Sequence, residues 1–261
     1  MMNDNFLKVA KKAALEAGKV ILKYSGNYGK RIIKEGDKSN FVTKADLEAE
    51  KVIIKTIQDN FLEHNILSEE IGEIDKGSEY TWVIDPIDGT ITFASGLPYF
   101  TVSIGLLSKN MPIIGVIYQV IGQELYWAQK DKGAFLNGKK ISVTNTKEFK
   151  RAVMATDFGH VQTRQNKINR FFLPLANKAS YFYSIGSDAY CLALIARGLL
   201  DGFTTDAWVW DHCAGAVLIT EAGGKLTDLS GNQIDWTKKR LEMVASNGLI
   251  HDQILEALKK S

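Results

Sequence analysis

The sequence has few of the residues and patterns that mark several classes of protein. Cysteine occurs only at Cys191 and Cys213, both in apolar, helix-like stretches, so we expect no disulfide framework and a reducing compartment. No apolar run approaches the roughly 20 residues of a membrane span, and the amphipathic first segment lacks the continuous apolar stretch of a signal peptide. We therefore predict a cytoplasmic protein with no membrane partner.

The chain also lacks a large excess of positive or negative residues. The 32 Lys and Arg residues and the 30 Asp and Glu residues are mixed along the chain and give a formal net charge of +2. No polyanion partner is indicated, and without a basic stripe direct binding of nucleic acid is not expected. For 261 residues we predict two packed lobes, 1–148 with most metal ligands and 149–261.

The first half of the chain predicts helices and then an antiparallel sheet. Amphipathic helices are predicted over about 5–25 and 45–62, joined by a Gly-, Lys- and Asp-rich segment that we expect to be mobile. Asn137-Gly138 predicts a hairpin. Before it, β-branched and aromatic runs follow one another at meander spacing: NILSEE, YTWVID, YFTVSIGLLS, MPIIGVIYQV and QELYWAQK.

The second half alternates between the two periodicities. Helices are predicted near 163–178, 187–198, 211–222 and 249–260. The strands predicted between them are YFYSIG, DGFTT, KLTDLSG and LEMVAS. Helices and strands in this order indicate a layered α/β half.

The segment WVIDPIDGTITF, residues 82–93, places two aspartates around a proline directly after an apolar strand. Pro86 has no backbone N–H, so the strand is predicted to end at Asp85 and the Ile87 carbonyl to point away from the ladder. Asp85, Asp88 and that carbonyl form an oxygen cluster of the kind that Mg²⁺ binds. The alternative is that the two aspartates only cap a turn.

The residues after this corner suggest a phosphate site. Gly89 allows close backbone approach, and the amides of Gly89 and Thr90 are predicted to face an oxyanion, particularly if a short helix begins there. The D-x-D-G-T pattern of the haloacid dehalogenase phosphotransferases does not fit, because the residue two places before Asp88 is Pro86. A covalent aspartyl nucleophile is therefore excluded at this position.

Three blocks in order resemble those of the inositol monophosphatase family of Mg²⁺-dependent, Li⁺-sensitive phosphatases. They are ILSEE at 66–70, WVIDPIDGTITF at 82–93 and WDHCAGAVLITEAGG at 210–224. With supporting segments such as NFVTKAD at 40–46, the resemblance covers nearly the whole chain. It implies an α/β protein with the layered α-β-α-β-α sandwich of the sugar phosphatases, its N-terminal sheet largely antiparallel and its second half α/β.

The resemblance also implies a set of metal ligands. Glu69, Asp85 and the Ile87 carbonyl would hold one Mg²⁺, while Asp85, Asp88 and Asp211 would hold a second. Crowded carboxylates repel one another unless divalent cations neutralise them. We therefore expect a metal-free site to be loose and partly disordered.

Other roles are open to several of these acids and their neighbours. Asp211 precedes an apolar helix, where an Asp N-cap is the common role. Glu69 and Glu70 are adjacent at a strand end, so only one can face the cluster; the family pattern selects Glu69 and leaves Glu70 in solvent. A structural role is expected for His212.

A third, weaker metal is an alternative that the charge run before the second helix leaves open. Lys34, Glu35, Asp37 and Lys38 are expected to form a solvated surface, and the alternative is that they close over the site. The cofactor prediction is accordingly two or three Mg²⁺ per site.

The family pattern assigns catalytic roles to three residues. Asp46 would hydrogen-bond Thr90, and this pair would orient the attacking water, with Glu69 as the proton acceptor. The alternative for Asp46 is an exposed acid in the first turn of a helix. Metal-activated water would attack phosphorus without a phosphoenzyme, while the Gly89 and Thr90 amides hold the phosphoryl oxygens.

Substrate contacts follow from the same resemblance. The phosphate would meet Asp88, Gly89, Thr90 and Asp211, and the alcohol would meet the segment before Trp210 and the residues that open SIGSDAYC. Those residues are Gly186, Ser187 and Asp188. Animal enzymes of the family have a Glu in the segment before Trp210, where this chain offers Thr204 or Thr205, which weakens strict inositol specificity.

The predicted substrates are therefore inositol monophosphates and related small sugar or polyol phosphates. The alternatives are 3′-phosphoadenosine 5′-phosphate, fructose 1,6-bisphosphate or NADP. A non-enzymatic alternative is binding to the transcription machinery, as in some bacterial relatives. A homodimer is expected, with the runs YFTVSIGLL and FFLPL either in its interface or in the core.

Overall fold

The structure is a computed structural model that describes residues 2–24, 26, 32–34 and 37–259. Its helices are α1 (Met2–Leu22), α2 (Lys44–Gln58), α3 (Thr90–Ala94), α4 (Val161–Lys167), α5 (Asp188–Ala196), α6 (Val209–Glu221) and α7 (His251–Lys259). The strands of the first half are β1 (Ile32–Lys34), β2 (Asp37–Val42), β3 (Asn65–Ser68), β4 (Gly72–Ile74), β5 (Tyr80–Asp88), β6 (Thr101–Ser108), β7 (Met111–Gln119), β8 (Glu124–Gln129), β9 (Gly133–Leu136) and β10 (Lys139–Ile141). Those of the second half are β11 (Val153–Thr156), β12 (Tyr181–Tyr183), β13 (Gly202–Trp208), β14 (Lys225–Thr227) and β15 (Arg240–Ser246).

A large sheet forms the centre of the first half, with strand order β10-β9-β8-β7-β6-β5-β3-β4. The meander from β5 to β10 is antiparallel throughout, whereas β3 pairs with β5 in parallel. The hairpin at Asn137-Gly138 has positive φ at both residues, as its turn type requires. Helices α1 and α2 pack their apolar faces against this sheet.

A smaller sheet of order β12-β11-β13-β15-β14 forms the second half. Strands β12, β11 and β13 run parallel, and β15 is antiparallel to its neighbours β13 and β14. Helices α5 and α6 share one core with residues from both sheets, while α7 packs against the small sheet in a separate core. The layers therefore alternate as helix, sheet, helix, sheet, helix, and the predicted fold class is confirmed.

Helix α6 lies in backbone contact with the large sheet. A Cβ atom added at Gly115 of β7 would lie 2.1 Å from the carbonyl oxygen of Ala214, so no other residue permits this approach. The contact holds the N-terminal half of α6, which carries Asp211, against the strands that follow β5.

The structure differs from the sequence prediction in several elements. The helix predicted over 163–178 is wrong beyond its first turns: α4 ends at Lys167, a π turn covers Ile168–Phe172, and Pro174 cannot continue a helix because it lacks an N–H. Strands β4 and β11 are short and were not predicted. A two-stranded sheet, β1-β2, lies where only a mobile joint is expected.

Parts of that joint, and the side chains of Lys34, Glu35, Asp37 and Lys38, lie outside the described residues. The predicted lobe boundary at 148 falls between β10 and β11 and stays a prediction. Of the two apolar runs considered for an interface, YFTVSIGLL is core except for the exposed Tyr99. In FFLPL, Phe171 and Leu175 are buried but Leu173 is exposed. In the described part of the chain, no helix combines the length and apolarity needed to cross a membrane.

Candidate metal centre and active site

Strand β5 does not end at Asp85, as the sequence predicts, but continues to Asp88. These two residues pair with residues of β6 that are one position closer together, so β5 carries a bulge between them. Pro86 lies in the bulge, where its missing N–H removes no ladder hydrogen bond. The Ile87 N–H donates to Asp85 Oδ1 at 2.9 Å, which orients that carboxylate.

The bulge brings two carboxylates to a third from the other half of the chain. Oxygens of Asp85, Asp88 and Asp211 all lie within 4.8 Å of one another. Asp85 is 2% and Asp88 6% exposed, and Asp211 is partly buried. The residues predicted for the second metal are therefore adjacent in space, because β5 and α6 meet at this corner.

Burial and mutual repulsion shift the pKa of each of these acids upward. Burial raises the pKa of Asp85 well above its ordinary value, and the charges of Glu69, Asp88 and Asp211 raise it further. Burial raises the pKa of Asp88 to about 7, with a further contribution from the charge of Asp188. A cation among them would let all three ionise together, so this donor set fits a divalent metal.

Asp211 lies in the first turn of α6. The alternative drawn from the sequence, that Asp211 is the N-cap of this helix, is wrong. The N-cap is Trp208, whose backbone N–H donates to Asp211 Oδ2 at 2.8 Å. Burial nevertheless raises the pKa of Asp211, followed by the charge of Asp88. Asp211 thus closes the helix end and still directs its carboxylate to the cluster.

Glu69 follows β3 and lies beside the corner. Its backbone N–H donates to the Ile84 carbonyl at 3.2 Å, which places it next to Asp85 across the parallel strands β3 and β5. It is outside the 4.8 Å group, yet its charge raises the pKa of Asp46, Asp85 and Asp211. The neighbouring Glu70 donates its backbone N–H to Glu50.

Asp46 and Thr90 are in contact although they are far apart in sequence. The Thr90 hydroxyl lies 3.2 Å from Asp46 Oδ1 and 3.1 Å from the Ile87 carbonyl. Asp46 is fully buried and forms a capping box with Thr43, so it is not an exposed first-turn acid. Burial raises the pKa of Asp46 to about 6, opposed by hydrogen bonds from Thr43 and assisted by the charge of Glu69.

The first turn of α5 encloses the Asp88 carboxylate. The Ser187 hydroxyl donates to Asp88, as do the backbone N–H groups of Asp188 at 3.2 Å and Ala189 at 2.9 Å. The Thr101 hydroxyl on β6 lies 3.3 Å from the same carboxylate. Ser187 is buried, so its hydroxyl serves Asp88 in this structure.

Residues of β13 and α6 hold the Asp188 side chain. Its Oδ2 accepts a hydrogen bond from Thr205 at 2.7 Å and lies 3.5 Å from His212 Nε2. Burial acts to raise the pKa of Asp188, but His212, the charge of Lys167 and the Thr205 hydroxyl outweigh it and the net shift is downward. His212 is fully buried in the core and lies outside the three-carboxylate group.

Gly89 is the N-cap of the short helix α3 and has φ +94°. A Cβ at this position would lie 3.0 Å from the carbonyl oxygens of Gly186 and Tyr99. Glycine is therefore required both by the left-handed backbone and by the close contact. The predicted phosphate-binding residues and the predicted alcohol-binding segment are neighbours across the two halves.

Sequence reasoning missed two polar residues that support the acids. Thr101 lies in an apolar strand and carries no local signal of its contact with Asp88. Glu50 was recoverable, because it falls four residues after Asp46 on the same helical face as Ala49 and Ile53. An acid in an apolar stripe indicates a buried, hydrogen-bonded carboxylate.

Comparison with known proteins matches residues 2–261 to a model described as the inositol monophosphatase family. The chain belongs to that family. The resemblance stated from the three sequence blocks is thus confirmed, and membership supports a metal-dependent phosphatase.

Relatives in the inositol monophosphatase family carry several names. The chain is 35% identical to the fructose-1,6-bisphosphatase/inositol-1-monophosphatase of Aquifex aeolicus, over 98% of this chain and 96% of the relative. It is 34% identical to the Nus factor SuhB of Pasteurella multocida, over 97% and 95%. The solved inositol monophosphatase of Anabaena superposes with a TM-score of 0.88 at 34% identity, over 100% of this chain and 97% of that one.

Proposed function

We propose that this protein is a Mg²⁺-dependent phosphatase that hydrolyses inositol monophosphates and related small sugar or polyol phosphates with a metal-activated water. The observation that carries the proposal is the cluster of Asp85, Asp88 and Asp211, whose oxygens lie within 4.8 Å of one another. Site chemistry supports function more directly than fold does, and oxygen donors of this kind suit a hard divalent cation.

The proposed ligands form two sets that share Asp85. Glu69, Asp85 and the Ile87 carbonyl would hold one Mg²⁺, and Asp85, Asp88 and Asp211 the other. When bound, magnesium lowers the pKa of a coordinated water and stabilises charge on the leaving oxygen. The Ile87 carbonyl oxygen lies 3.1 Å from the Thr90 hydroxyl oxygen. Because the single hydroxyl proton is proposed to point to Asp46, the lone pairs of this carbonyl are available for the metal.

The chain's own contribution to the attack is the orientation of the water. The Thr90 hydroxyl donates toward the buried carboxylate of Asp46, so its oxygen presents lone pairs to a water proton. A water held this way turns its own lone pair outward, toward the phosphorus of a phosphate whose oxygens would accept from the Gly89 and Thr90 amides. Glu69 is the proposed proton acceptor beside that water.

For the alcohol portion of the substrate, the proposed contacts are Gly186, Ser187 and Asp188. Thr205 occupies one oxygen of Asp188, which leaves Oδ1 as the oxygen proposed to accept from a substrate hydroxyl. Because this chain offers Thr204 or Thr205 where the animal enzymes of the family have a glutamate, we propose a range of small polyol and sugar phosphates as substrates.

Phosphate release tests the proposal. The purified protein is assayed with Mg²⁺ on a panel of inositol and sugar monophosphates, fructose 1,6-bisphosphate, 3′-phosphoadenosine 5′-phosphate and NADP, with and without Li⁺. We expect release from monophosphates, its inhibition by Li⁺, and its loss in Asp85→Asn. Release from no substrate contradicts the proposal. Faster release from a bisphosphate than from any monophosphate would make bisphosphates the substrate class.

A second candidate function is binding to the transcription machinery, which the name of the Pasteurella relative favours. Such a role depends on the surface and not on the acidic cluster. Asp88→Asn should abolish phosphate release and leave that binding intact. Loss of both in a folded variant would show that the two roles share the site.

We also propose a cytoplasmic homodimer. The exposed side chains of Ile91, Leu97 and Tyr99 lie close to the site and offer apolar area outside the core. Light scattering coupled to size-exclusion chromatography measures the mass directly; a mass of 29.0 kDa at all concentrations contradicts the dimer.

A further inference from the structure

We infer that Glu50 is a positioning residue that fixes the backbone around Glu69 and thereby sets the affinity of the site for its first metal. The inference rests on the proposed function, in which Glu69 is a ligand. Glu50 lies on α2, one helical turn after Asp46, and is 1% exposed. Both acids occupy the buried face of the same helix, so α2 supports the site at two points.

One oxygen of Glu50 accepts three hydrogen bonds. The donors are the Ser68 hydroxyl, the Glu70 N–H at 3.1 Å and the Ile71 N–H at 3.2 Å. Ser68 is the residue before Glu69, and the other two follow it directly. The carboxylate therefore binds the chain on both sides of Glu69.

This contact fixes a turn that the sheet alone does not hold. Strand β3 ends at Ser68 and β4 begins at Gly72, so the residues between them have no ladder partner on β4. On the opposite side, the Glu69 N–H donates to the Ile84 carbonyl at 3.2 Å. Glu69 is thus held between β5 and Glu50, next to Asp85.

The use of a carboxylate here is informative. Its three donors are neutral groups, and burying an ionised group costs free energy unless its hydrogen bonds compensate. Bonds to an ionised acceptor are roughly twice as strong as neutral ones, so a charged Glu50 holds the turn more rigidly than an amide would. Groups that orient metal ligands typically change metal affinity about 10–100-fold when they are removed.

The test compares Glu50→Gln and Glu50→Ala with matched changes at Glu48. Glu48 is an acid of the same helix whose side chain is 39% exposed. Mn²⁺ binding to each protein is measured without substrate by the loss of the free-ion paramagnetic resonance signal. The Mg²⁺ concentration for half-maximal phosphate release and the unfolding temperature in EDTA are measured on the same samples.

We expect Glu50→Ala to weaken Mn²⁺ binding about tenfold or more and to raise the Mg²⁺ requirement in parallel. Glu50→Gln, which keeps an acceptor oxygen, should restore part of the affinity, and the Glu48 variants should match the parent. A folded Glu50→Ala with parental Mn²⁺ affinity overturns the inference. If that variant does not fold, Glu50→Gln decides, and parental affinity in it overturns the inference.

The outcome for the unaltered protein separates this inference from the proposed function. A parent that takes up no Mn²⁺ and releases no phosphate overturns both. A parent that binds Mn²⁺ and is matched by folded Glu50 variants overturns the positioning role alone. A purely structural role is recognised by a lower unfolding temperature with unchanged metal affinity.

Discussion

Asp85 and Asp88 lie three residues apart on one strand, yet their carboxylates receive different numbers of hydrogen bonds. Asp88 receives donors from Ser187, Asp188 and Ala189, whereas within the described residues Asp85 receives one, from the Ile87 N–H. Donors favour the ionised form of a carboxylate. The protein thus provides more hydrogen-bond donors to Asp88 than to Asp85, and we expect Asp85 to depend more on a bound cation.

The largest effect is expected at the acid with fewer donors. Asp85→Asn should lower turnover about 10³-fold or more, since metal stabilisation of the transition state amounts to several kcal/mol. The same change should raise the unfolding temperature in EDTA. Because its pKa is raised in the folded protein, Asp85 must take up a proton or bury its charge on folding at neutral pH, and asparagine does neither. Calorimetry and phosphate release check both, with the exposed Asp59→Asn as control; a lower metal-free stability would contradict the comparison.

The pH dependence of metal-free stability tests the same point without a mutation. The folded pKa values of Asp88, about 7, and Asp46, about 6, exceed the unfolded value near 4. The folded protein then binds more protons than the unfolded chain between these limits, so stability falls as the pH rises through 6 and 7.

In EDTA we expect a loss on the order of 2–4 kcal/mol between pH 5 and 8. Urea unfolding across that range measures it, and saturating Mg²⁺ should remove most of the decline. A metal-free stability that rises with pH would mean that these acids are already ionised in the folded protein.

A smaller effect is expected when the donors of Asp88 are removed one at a time. Ser187→Ala should lower turnover about tenfold, since a hydrogen bond to a charged group contributes about 1.5–3 kcal/mol. Thr101→Val removes a longer contact of 3.3 Å and should cost about threefold or less. Equal losses of turnover in the two variants would show that the contribution of a donor does not depend on its distance from the Asp88 carboxylate.

A modest effect, on substrate affinity and not on turnover, is expected at Thr205, which contacts Asp188 and not the three-carboxylate group. Thr205→Val should raise the KM for a polyol phosphate about fivefold, the equivalent of about 1 kcal/mol. The Mg²⁺ requirement should stay unchanged. A change in the Mg²⁺ requirement instead would connect Thr205 to the metal ligands through Asp188 and Asp88.

Local patterns predicted the meander, the α/β second half and the oxygen-rich turn, whereas the layered sandwich and the convergence of Asp211 on that turn were implied by the family resemblance. Alternating β-branched residues indicate the meander, and D-P-I-D-G after an apolar run indicates a turn rich in oxygen ligands. The donors of Asp88 were not predictable in this way. Apart from Thr101 on β6, they come from the start of α5, about a hundred residues later in the chain, and only the packing of the two halves brings them to Asp88.

Two predicted element boundaries, the end of β5 and the start of α6, were wrong for physical reasons. The strand was expected to stop at Asp85 because Pro86 cannot donate, but a bulge accommodates the proline and the pairing resumes at Asp88. Helix α6 begins two residues before its predicted start, since the Asp211 carboxylate caps the Trp208 N–H from inside the helix. The first error reflects tertiary pairing with β6, whereas the second reflects a capping contact between residues only three positions apart.

The contact between Gly115 and Ala214 has a consequence for how this protein tolerates sequence change. No side-chain atom fits between that strand and the helix that carries Asp211, so main-chain atoms alone set their separation. We expect exchanges among leucine, isoleucine and valine elsewhere in the interior to change side-chain volumes without changing the distance between Gly115 and Ala214. We therefore expect the dimensions of the acidic pocket to change little when the surrounding core varies, and to change when a methyl group is added at Gly115, or at Gly105, which approaches the same helix.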